Sequence, residues 1–391
     1  MTVPPPLEGI RILELAHMLA GPYGTLLLAD LGADVVKIES AERPDLARGM
    51  PGCQVGGETA YFHSLNRNKR SVALDLKSEA GHRAFLRLVE GADVVVDNFR
   101  AGVMKRLRLD FERLRGVNPR IVTCSITGFG ADGPRQDLPA YDYLIQAMAG
   151  TMSLTGDPDG PPTKFGISIV DHTSGLMAAF AILAALRGVA ETGVGRHVDL
   201  ALFDIHLSML TYLAADYLNC GVEPQRHASS AHPYIVPSQL FAARDGYLIV
   251  MPMADHMWVK LCDALELADL GRDPDLRTAA GRLAHRERVT SGIAARLAEL
   301  PTGEAVGRLV GSGVPAAPVN SVPEALADPQ VAARGMVVEA EGVRLLGNPV
   351  KLSDVPERPP RPGPGLGEHT REILREAGLP EEEIDSLCPT S

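Results

Sequence analysis

Short apolar runs alternate with longer helix-like segments over the first half of the chain. The short runs are rich in Val and Ile, whereas the segments between them repeat apolar residues at helical spacing. Strands that are apolar on both faces are typical of a parallel sheet covered by helices. The pattern therefore predicts an α/β fold with a Rossmann-like, doubly wound parallel sheet. Its strands are expected at residues 10–15, 34–39, 92–96, 121–126 and 196–203.

The pattern changes after about residue 219, which indicates a second domain. A polar, turn-rich linker at 221–227 precedes new strands and helices, and a proline-rich crossing at 356–367 leads to a last helical segment. The new strands are expected near 238–242 and 247–251, and the helices at 255–266, 283–299 and 369–377. The predicted domains are a large Rossmann-like domain beginning with 1–220, a smaller α+β domain at 221–330, and a return crossing that completes the large domain at 331–391.

Asp171 is the most conspicuous polar residue of the chain. It lies between a strand-like apolar run at 166–170 and a long apolar helix pattern at 176–183. A carboxylate in such surroundings is costly to desolvate unless it is capped, paired or used. One interpretation is a helix N-cap, in which the carboxylate accepts hydrogen bonds from free backbone N–H groups. The other is a covalent nucleophile beside small residues that let a substrate approach closely, and the two interpretations do not exclude each other.

Composition and charge narrow the class of protein. The 391 residues are 45% hydrophobic and 22% charged, which is ordinary for a folded soluble chain. A formal net charge of −11 argues against a nucleic-acid or anionic-membrane partner, although a local basic patch is enough for a phosphorylated ligand. The five scattered cysteines form no CxxC pair, which favours reduced thiols. The first residues do not resemble a secretory signal, and the longest apolar run, 176–186, is too short to cross a bilayer, so a cytoplasmic protein is expected.

Three common site motifs are missing from the sequence. The turn at 17–24 lacks the G-x-G-x-x-G of a dinucleotide site, although Glu39 ends the next expected strand. No HExxH and no Cys/His cluster with ligand spacing occurs, so no metal site is expected. The G-x-S-x-G elbow of serine hydrolases is also absent.

Four segments in order identify a family resemblance. They are His17 to Pro22 with 32–39, then 66–76, then 97–103, and finally 160–162 leading to Asp171. In this order and spacing the chain resembles the class III CoA-transferases, the family of formyl-CoA transferase and carnitine CoA-transferase, whose relatives include α-methylacyl-CoA racemase. The resemblance extends over nearly the whole chain.

The resemblance implies a fold, a partner and a set of site residues. It implies a Rossmann-like large domain, a small central domain and an interlocked homodimer that takes coenzyme A esters as substrates and holds no permanent cofactor. In the family the nucleophile is an aspartate that aligns with Asp171, and an active-site tyrosine aligns with Tyr141. The residues that align with family CoA contacts are His17, Leu74, Asn98, Phe99, Val103 and Arg106.

A basic run near the second segment has two interpretations. Arg67, Lys69 and Arg70 are suited to CoA phosphates through charge-assisted hydrogen bonds. The alternative is a solvated surface turn, since clustered surface charges are common.

Three functions remain open at this point. The first is transfer of CoA from an acyl-CoA donor, with succinyl-CoA as one candidate, to a carboxylic acid through an aspartyl-CoA thioester on Asp171. The second is racemisation of a 2-methylacyl-CoA, which requires two acid/base groups; the racemase branch places a histidine where this chain has Tyr141. The third is a non-catalytic acyl-CoA-binding protein, against which the retained Asp171 argues.

The resemblance also bears on the acids that the protein would use. Leu19 replaces a glutamine of formyl-CoA transferase, and the chain has no tetraglycine loop, so formate and oxalate are doubtful substrates. The segment 231–239 looks more like the branch that moves CoA between dicarboxylates such as succinate and glutarate or mesaconate.

Overall fold

The computed structural model of the protein describes residues 3–388. These residues divide into two compact units. The larger unit combines the chain up to Thr151, Lys164–Tyr212 and the chain from Pro329 onward, and the smaller unit combines Met152–Thr163 with Leu213–Asp328. The larger unit is therefore assembled from both halves of the sequence.

A six-stranded parallel sheet forms the centre of the larger unit. Its strands are β1 (Arg11–Glu14), β2 (Asp34–Glu39), β5 (Arg70–Ala73), β6 (Val94–Asp97), β7 (Val122–Thr127) and β8 (Arg196–Ala201), and β3 (Gln54–Val55) with β4 (Glu58–Thr59) forms a separate hairpin. The order in the sheet is β5-β2-β1-β6-β7-β8, and every neighbouring pair is parallel. This is the strand order of the Rossmann fold, in which β2 and β5 lie on one side of β1 and β6, β7 and β8 lie on the other side. The prediction of an α/β fold with a doubly wound parallel sheet is confirmed.

Both faces of this sheet are buried, as the apolar runs predicted. Ile12 and Leu13 are consecutive in β1 and fully buried, yet they belong to different core clusters because successive strand residues point to opposite faces. The cluster on the Leu13 face also contains Phe85 and the C-terminal Ile373 and Leu374. The last described helices therefore pack on the first half of the chain.

The helices of the larger unit connect and cover these strands. They are α1 (Ala20–Asp30), α2 (Ala60–Asn66), α3 (Glu79–Glu90), α4 (Val103–Arg106), α5 (Phe111–Val117), α6 (Asp142–Met148), α7 (Ile169–Thr192) and α8 (Leu202–Ser208). Helix α9 (Thr211–Cys220) follows, and from Leu213 onward its residues belong to the smaller unit.

The smaller unit has its own antiparallel sheet and core. Its strands are β9 (Gln239–Ala242), β10 (Tyr247–Val250) and β11 (Ala316–Pro318), in the order β11-β10-β9. Its helices are α10 (Asp255–Ala264), α11 (Ala268–Arg272), α12 (Ala279–Ala284), α13 (Arg286–Leu297), α14 (Thr302–Gly311) and α15 (Val322–Leu326). Trp258 lies fully buried in the core of this unit. The expected long helix at 283–299 is divided between α12 and α13.

The chain from Pro329 onward contributes α16 (Pro329–Ala333), the hairpin of β12 (Val337–Ala340) and β13 (Val343–Leu346), α17 (Thr370–Glu376) and α18 (Glu381–Leu387). Residues 371–377 of the expected last helix fall largely within α17. Thr370 Oγ1 accepts a hydrogen bond from the Ala73 amide at 3.0 Å, which attaches the start of α17 to the end of β5.

Helix α7 differs from its predicted form at both ends. The strand expected at 166–170 does not form, and the helix already begins at Ile169. The sequence predicted that the apolar run 176–186 is too short to cross a membrane. The helix is 24 residues long, and by its length and composition alone it is long and apolar enough to do so, so that prediction is wrong. Val170, Ile182 and Val189 are nevertheless buried in the same cluster as residues of the sheet and α1, as in a core helix.

Candidate active site

The sheet order reverses where β1 and β6 lie side by side, and doubly wound sheets have their ligand crevice at such a point. In doubly wound sheets, ligands bind outside the carboxyl ends of the strands at the point where the order reverses. His17 follows β1, while Asn98 and Phe99 follow β6, and the rings of His17 and Phe99 have centroids 5.9 Å apart. The Asn98 carboxamide accepts from His17 N at 2.9 Å and donates to His17 O at 2.7 Å. Three residues selected from the sequence are therefore brought together.

The imidazole of His17 is neutral at pH 7. Burial lowers its pKa, and the positive charge of the nearby Lys37 lowers it further, whereas neighbouring carboxylates oppose this shift. A neutral ring presents one hydrogen-bond donor and one acceptor to a ligand.

The other predicted CoA contacts lie after β5 and on α4. Leu74 follows β5 and is only 3% exposed, and Phe99 packs against the same core cluster. Val103 begins α4 and Arg106 ends it, with the Arg106 side chain exposed. Within residues 3–388, the Arg106 guanidinium forms no salt bridge, so its charge is available to a ligand.

Asp171 lies in the first turn of α7, as its third residue. The N-cap position is occupied by Ser168, so the interpretation of Asp171 as an N-cap is wrong. The capping carboxylate comes instead from Asp142 on α6, whose Oδ2 accepts from Val170 N at 2.8 Å and from Asp171 N at 3.2 Å. Gln146, one turn further along α6, donates to the other Asp142 oxygen at 2.5 Å.

This arrangement gives Asp171 an unusual carboxyl group. Burial raises its pKa to about 7, and the negative charge of Asp142 contributes to the increase. An acidic residue in the first turn of a helix is normally stabilised as an anion by free N–H groups. Here Asp142 takes two of those groups, so the Asp171 carboxylate loses that support. Strongly perturbed carboxyl groups are characteristic of reactive sites.

Tyr61 is a candidate site residue that the sequence did not reveal. It lies on the short helix α2, and burial together with the charges of Asp171 and Asp45 raises its pKa to about 12. Tyr61 is therefore close enough to Asp171 to sense its charge. The sequence offers no motif that marks it. Tyr141, which the resemblance selected, precedes Asp142 at the start of α6 and is 69% exposed.

Glycines bring α7 against α1 and so fix Asp171 relative to the turn that precedes α1. A Cβ atom on Gly24 would lie 2.7 Å from the Gly175 carbonyl oxygen, and one on Gly175 would lie 2.6 Å from the Ala20 carbonyl oxygen. Neither site has room for a larger side chain without backbone movement. One turn nearer the N-terminus of α7, the rings of Tyr23 and His172 meet edge to face at 4.9 Å.

The side chains of the basic run, Arg67, Lys69 and Arg70, form ion pairs within the larger unit. Their partners are Asp30 for Arg67, Glu14 for Lys69, and Asp34 with Glu376 for Arg70. Lys69 is fully buried, and its ammonium also donates to Pro22 O and Asn66 Oδ1. Neither interpretation of the run, phosphate contact or solvated turn, holds for Arg67 and Lys69.

Groups of three or more His, Cys, Asp or Glu side chains suited to a metal ion do not occur in the described part of the chain.

Known proteins resemble this chain over most of its length. A model of CoA-transferase family III matches residues 7–370. The chain is 40% identical over 386 residues to the succinate–glutarate CoA-transferase of Agrobacterium fabrum, with 95% of this chain and 96% of that protein covered. It is 38% identical over 378 residues to the acetyl-CoA:oxalate CoA-transferase of Acetobacter aceti, with 96% and 97% covered.

A solved structure shows the same fold. The crystal structure of a CAIB/BAIF family protein from Brucella suis matches with a TM-score of 0.87 and 40% sequence identity, covering 96% of this chain and 100% of that one. Sequence, fold and the family model agree over almost the whole length. The chain belongs to CoA-transferase family III.

Proposed function

We propose that this CoA-transferase moves CoA from an acyl-CoA donor, with succinyl-CoA as the first candidate, to a carboxylic acid through an aspartyl-CoA thioester on Asp171. One observation carries this proposal. The Asp171 carboxyl group is mostly buried in the first turn of α7, where burial and Asp142 raise its pKa to about 7. A carboxylate that is poorly solvated and more basic than usual is a better nucleophile at neutral pH.

The proposed chemistry proceeds in two exchanges. The Asp171 carboxylate attacks the donor thioester carbonyl, which breaks the C–S bond and gives a mixed anhydride and the CoA thiolate. The thiolate then attacks the Asp171 carbonyl, which forms the aspartyl-CoA thioester and releases the donor acid. The acceptor acid repeats these steps in reverse and leaves with CoA.

Tyr61 supports this sequence as a hydrogen-bond donor. Each carbonyl addition creates an oxyanion, and fixed donors stabilise such charge. The Tyr61 hydroxyl is protonated at neutral pH, and it lies close enough to Asp171 for the charge of Asp171 to raise its pKa. We therefore propose Tyr61 as a donor to the oxyanion, with Tyr141 as a further active-site residue.

For CoA itself we propose the crevice between the ends of β1 and β6. His17, Asn98 and Phe99 form its floor, while Leu74 and Val103 border it and Arg106 contacts a phosphate. The guanidinium of Arg106 is exposed and forms no salt bridge with residues 3–388. This supports the role, because charge-assisted hydrogen bonds to phosphate are strong.

Arg106→Ala is expected to raise the apparent KM for CoA esters by about tenfold, since one charged phosphate contact is worth about 1.5 kcal/mol or more. The melting temperature should change little because the side chain is exposed. Arg113→Ala is the matched control, as Arg113 is also exposed and lies on the following helix. Steady-state kinetics with equal KM values for both variants would exclude the phosphate contact.

The substrates are tested by combining short acyl-CoAs with free mono- and dicarboxylates and detecting new CoA esters by mass spectrometry. We expect succinyl-CoA with a dicarboxylate to be the most active pair. Oxalate and formate belong in the set, because relatives of similar identity are named for different acids. If the wild-type protein forms no new CoA ester with any of these pairs, the proposed transfer activity is refuted.

We also propose that the protein is an interlocked homodimer. Large apolar side chains are exposed along α7, including Leu176 at 50% and Phe180 at 67%. Exposed apolar surface of this kind is typical of an interface.

Because subunits threaded through each other separate only by unfolding, no folded monomer is expected after dilution to nanomolar concentration. Analytical ultracentrifugation with fluorescence detection measures this directly. A compact sedimenting monomer would exclude the interlocked state.

A further inference from the structure

Buried and partly buried side chains hold three successive residues of the turn between β1 and α1. The Lys37 ammonium donates to Ala16 O at 2.7 Å. The Asn98 carboxamide binds both the N–H and the carbonyl of His17. The N–H of Met18 donates to Asp45 Oδ1 at 2.9 Å. These contacts leave the turn little freedom to move independently of the sheet.

Asp45 is itself fixed from several directions. It is 1% exposed, its own N–H donates to Glu39 Oε1 at 3.1 Å, and its Oδ1 also accepts from Ala47 N at 3.0 Å. The Lys37 ammonium lies 2.9 Å from the other carboxylate oxygen, as an ion pair without hydrogen-bond alignment. The Lys37 charge holds the pKa of Asp45 down, so the carboxylate is charged at neutral pH.

A buried acceptor at this point has a specific effect on Met18. The backbone of Met18 is left-handed, with a φ of 65°. For a residue with a side chain, that conformation is unfavourable and persists only where the surroundings determine it. The hydrogen bond from Met18 N to Asp45 is a contact that holds this conformation.

The His17 ring, which belongs to this turn, packs against Phe99. Asp45 is close enough for its charge to act on the pKa of both His17 and Tyr61. A displaced Met18 peptide would therefore move the proposed CoA contact directly. We propose that Asp45 is a positioning residue for acyl-CoA binding: its carboxylate holds Met18 in the left-handed conformation that places His17 in the crevice. This inference rests on the proposed function, because it takes His17 as a CoA contact.

The test compares three variants in steady-state kinetics and in equilibrium binding of CoA measured by calorimetry. Asp45→Ala removes the acceptor of the Met18 N–H. It should weaken CoA binding and raise the KM for acyl-CoA, each by about tenfold, because one buried hydrogen bond is worth about 1.4 kcal/mol. Asp45→Asn keeps a carboxamide oxygen for Met18 N and should remain within about threefold of the wild type. Asp30→Ala is the control, since it breaks the similarly buried pair with Arg67 but makes no contact with the turn.

A purely structural role would give a different pattern. All three variants lose a buried ion pair, so their melting temperatures should fall, whereas only Asp45→Ala should bind CoA poorly. Wild-type CoA affinity in a folded Asp45→Ala would overturn the inference, as would equal losses of affinity in Asp45→Asn and Asp45→Ala. Failure of the proposed function is distinguishable, because the wild-type protein would then bind no CoA ester or form no product.

Discussion

Replacing Asp171 with alanine is expected to lower the turnover number for CoA transfer by about a thousandfold or more, as removal of a covalent nucleophile does in other enzymes. Affinity for CoA should remain within about threefold, because the proposed CoA contacts follow β1, β5 and β6 or lie on α4, and none of them lies on α7. The two quantities are measured by initial rates with saturating acyl-CoA and by calorimetry with CoA alone.

Asp204→Ala is the matched control for this variant. Asp204 also lies in the first turn of a helix, α8, but its side chain is exposed. It should retain nearly full activity. Asp171→Asn is a less suitable activity test, since slow deamidation restores the acid. Transfer within tenfold of the wild type by Asp171→Ala would refute the covalent mechanism.

The second large effect concerns stability and pH. Asp171 has a pKa of about 7 in the folded protein against 3.8 as its ordinary value. Between these values the folded state holds a proton that the unfolded state has lost, so Asp171 destabilises the fold increasingly as pH rises toward 7. Asparagine does not ionise and escapes this penalty. Asp171→Asn should therefore gain about 2–3 kcal/mol of unfolding free energy relative to the wild type between pH 5 and pH 8.

Denaturant titrations at pH 5 and pH 8 measure this difference, at one protein concentration because association also affects stability. Asp263→Asn is the control, because Asp263 is exposed on α10. Its stability relative to the wild type should be the same at both pH values. An Asp171→Asn difference that is equally independent of pH would contradict the raised pKa.

The parallel sheet was predictable from the sequence for a simple reason. Strands buried on both faces leave short apolar runs that are hard to confuse with surface segments. Once β1 and β6 are recognised, the doubly wound topology places His17 and Asn98 next to each other. The strand wrongly expected at 166–170 shows the limit of this signal, since a short apolar run also fits the start of a buried helix.

The electrostatics of the site were not predictable in the same way. The pKa of Asp171 depends on Asp142, which lies 29 residues earlier and reaches α7 only in the folded chain. The basic run reads as a surface feature, yet Lys69 meets Glu14 across 55 residues of sequence. Charged side chains carry no periodic signal that tells a buried ion pair from an exposed one, so such contacts emerge only from the tertiary structure.

The covalent intermediate on Asp171 is the central claim and is open to direct measurement. The protein is incubated with succinyl-CoA without an acceptor, treated with hydroxylamine or borohydride, and digested for mass spectrometry, while a parallel sample with 2-methylacyl-CoA in deuterium oxide reports exchange at the α-carbon. The account predicts a mass-shifted Asp171 in the first sample and no deuterium in the second. An unmodified Asp171 together with deuterium in the 2-methylacyl-CoA would contradict it and indicate a racemase.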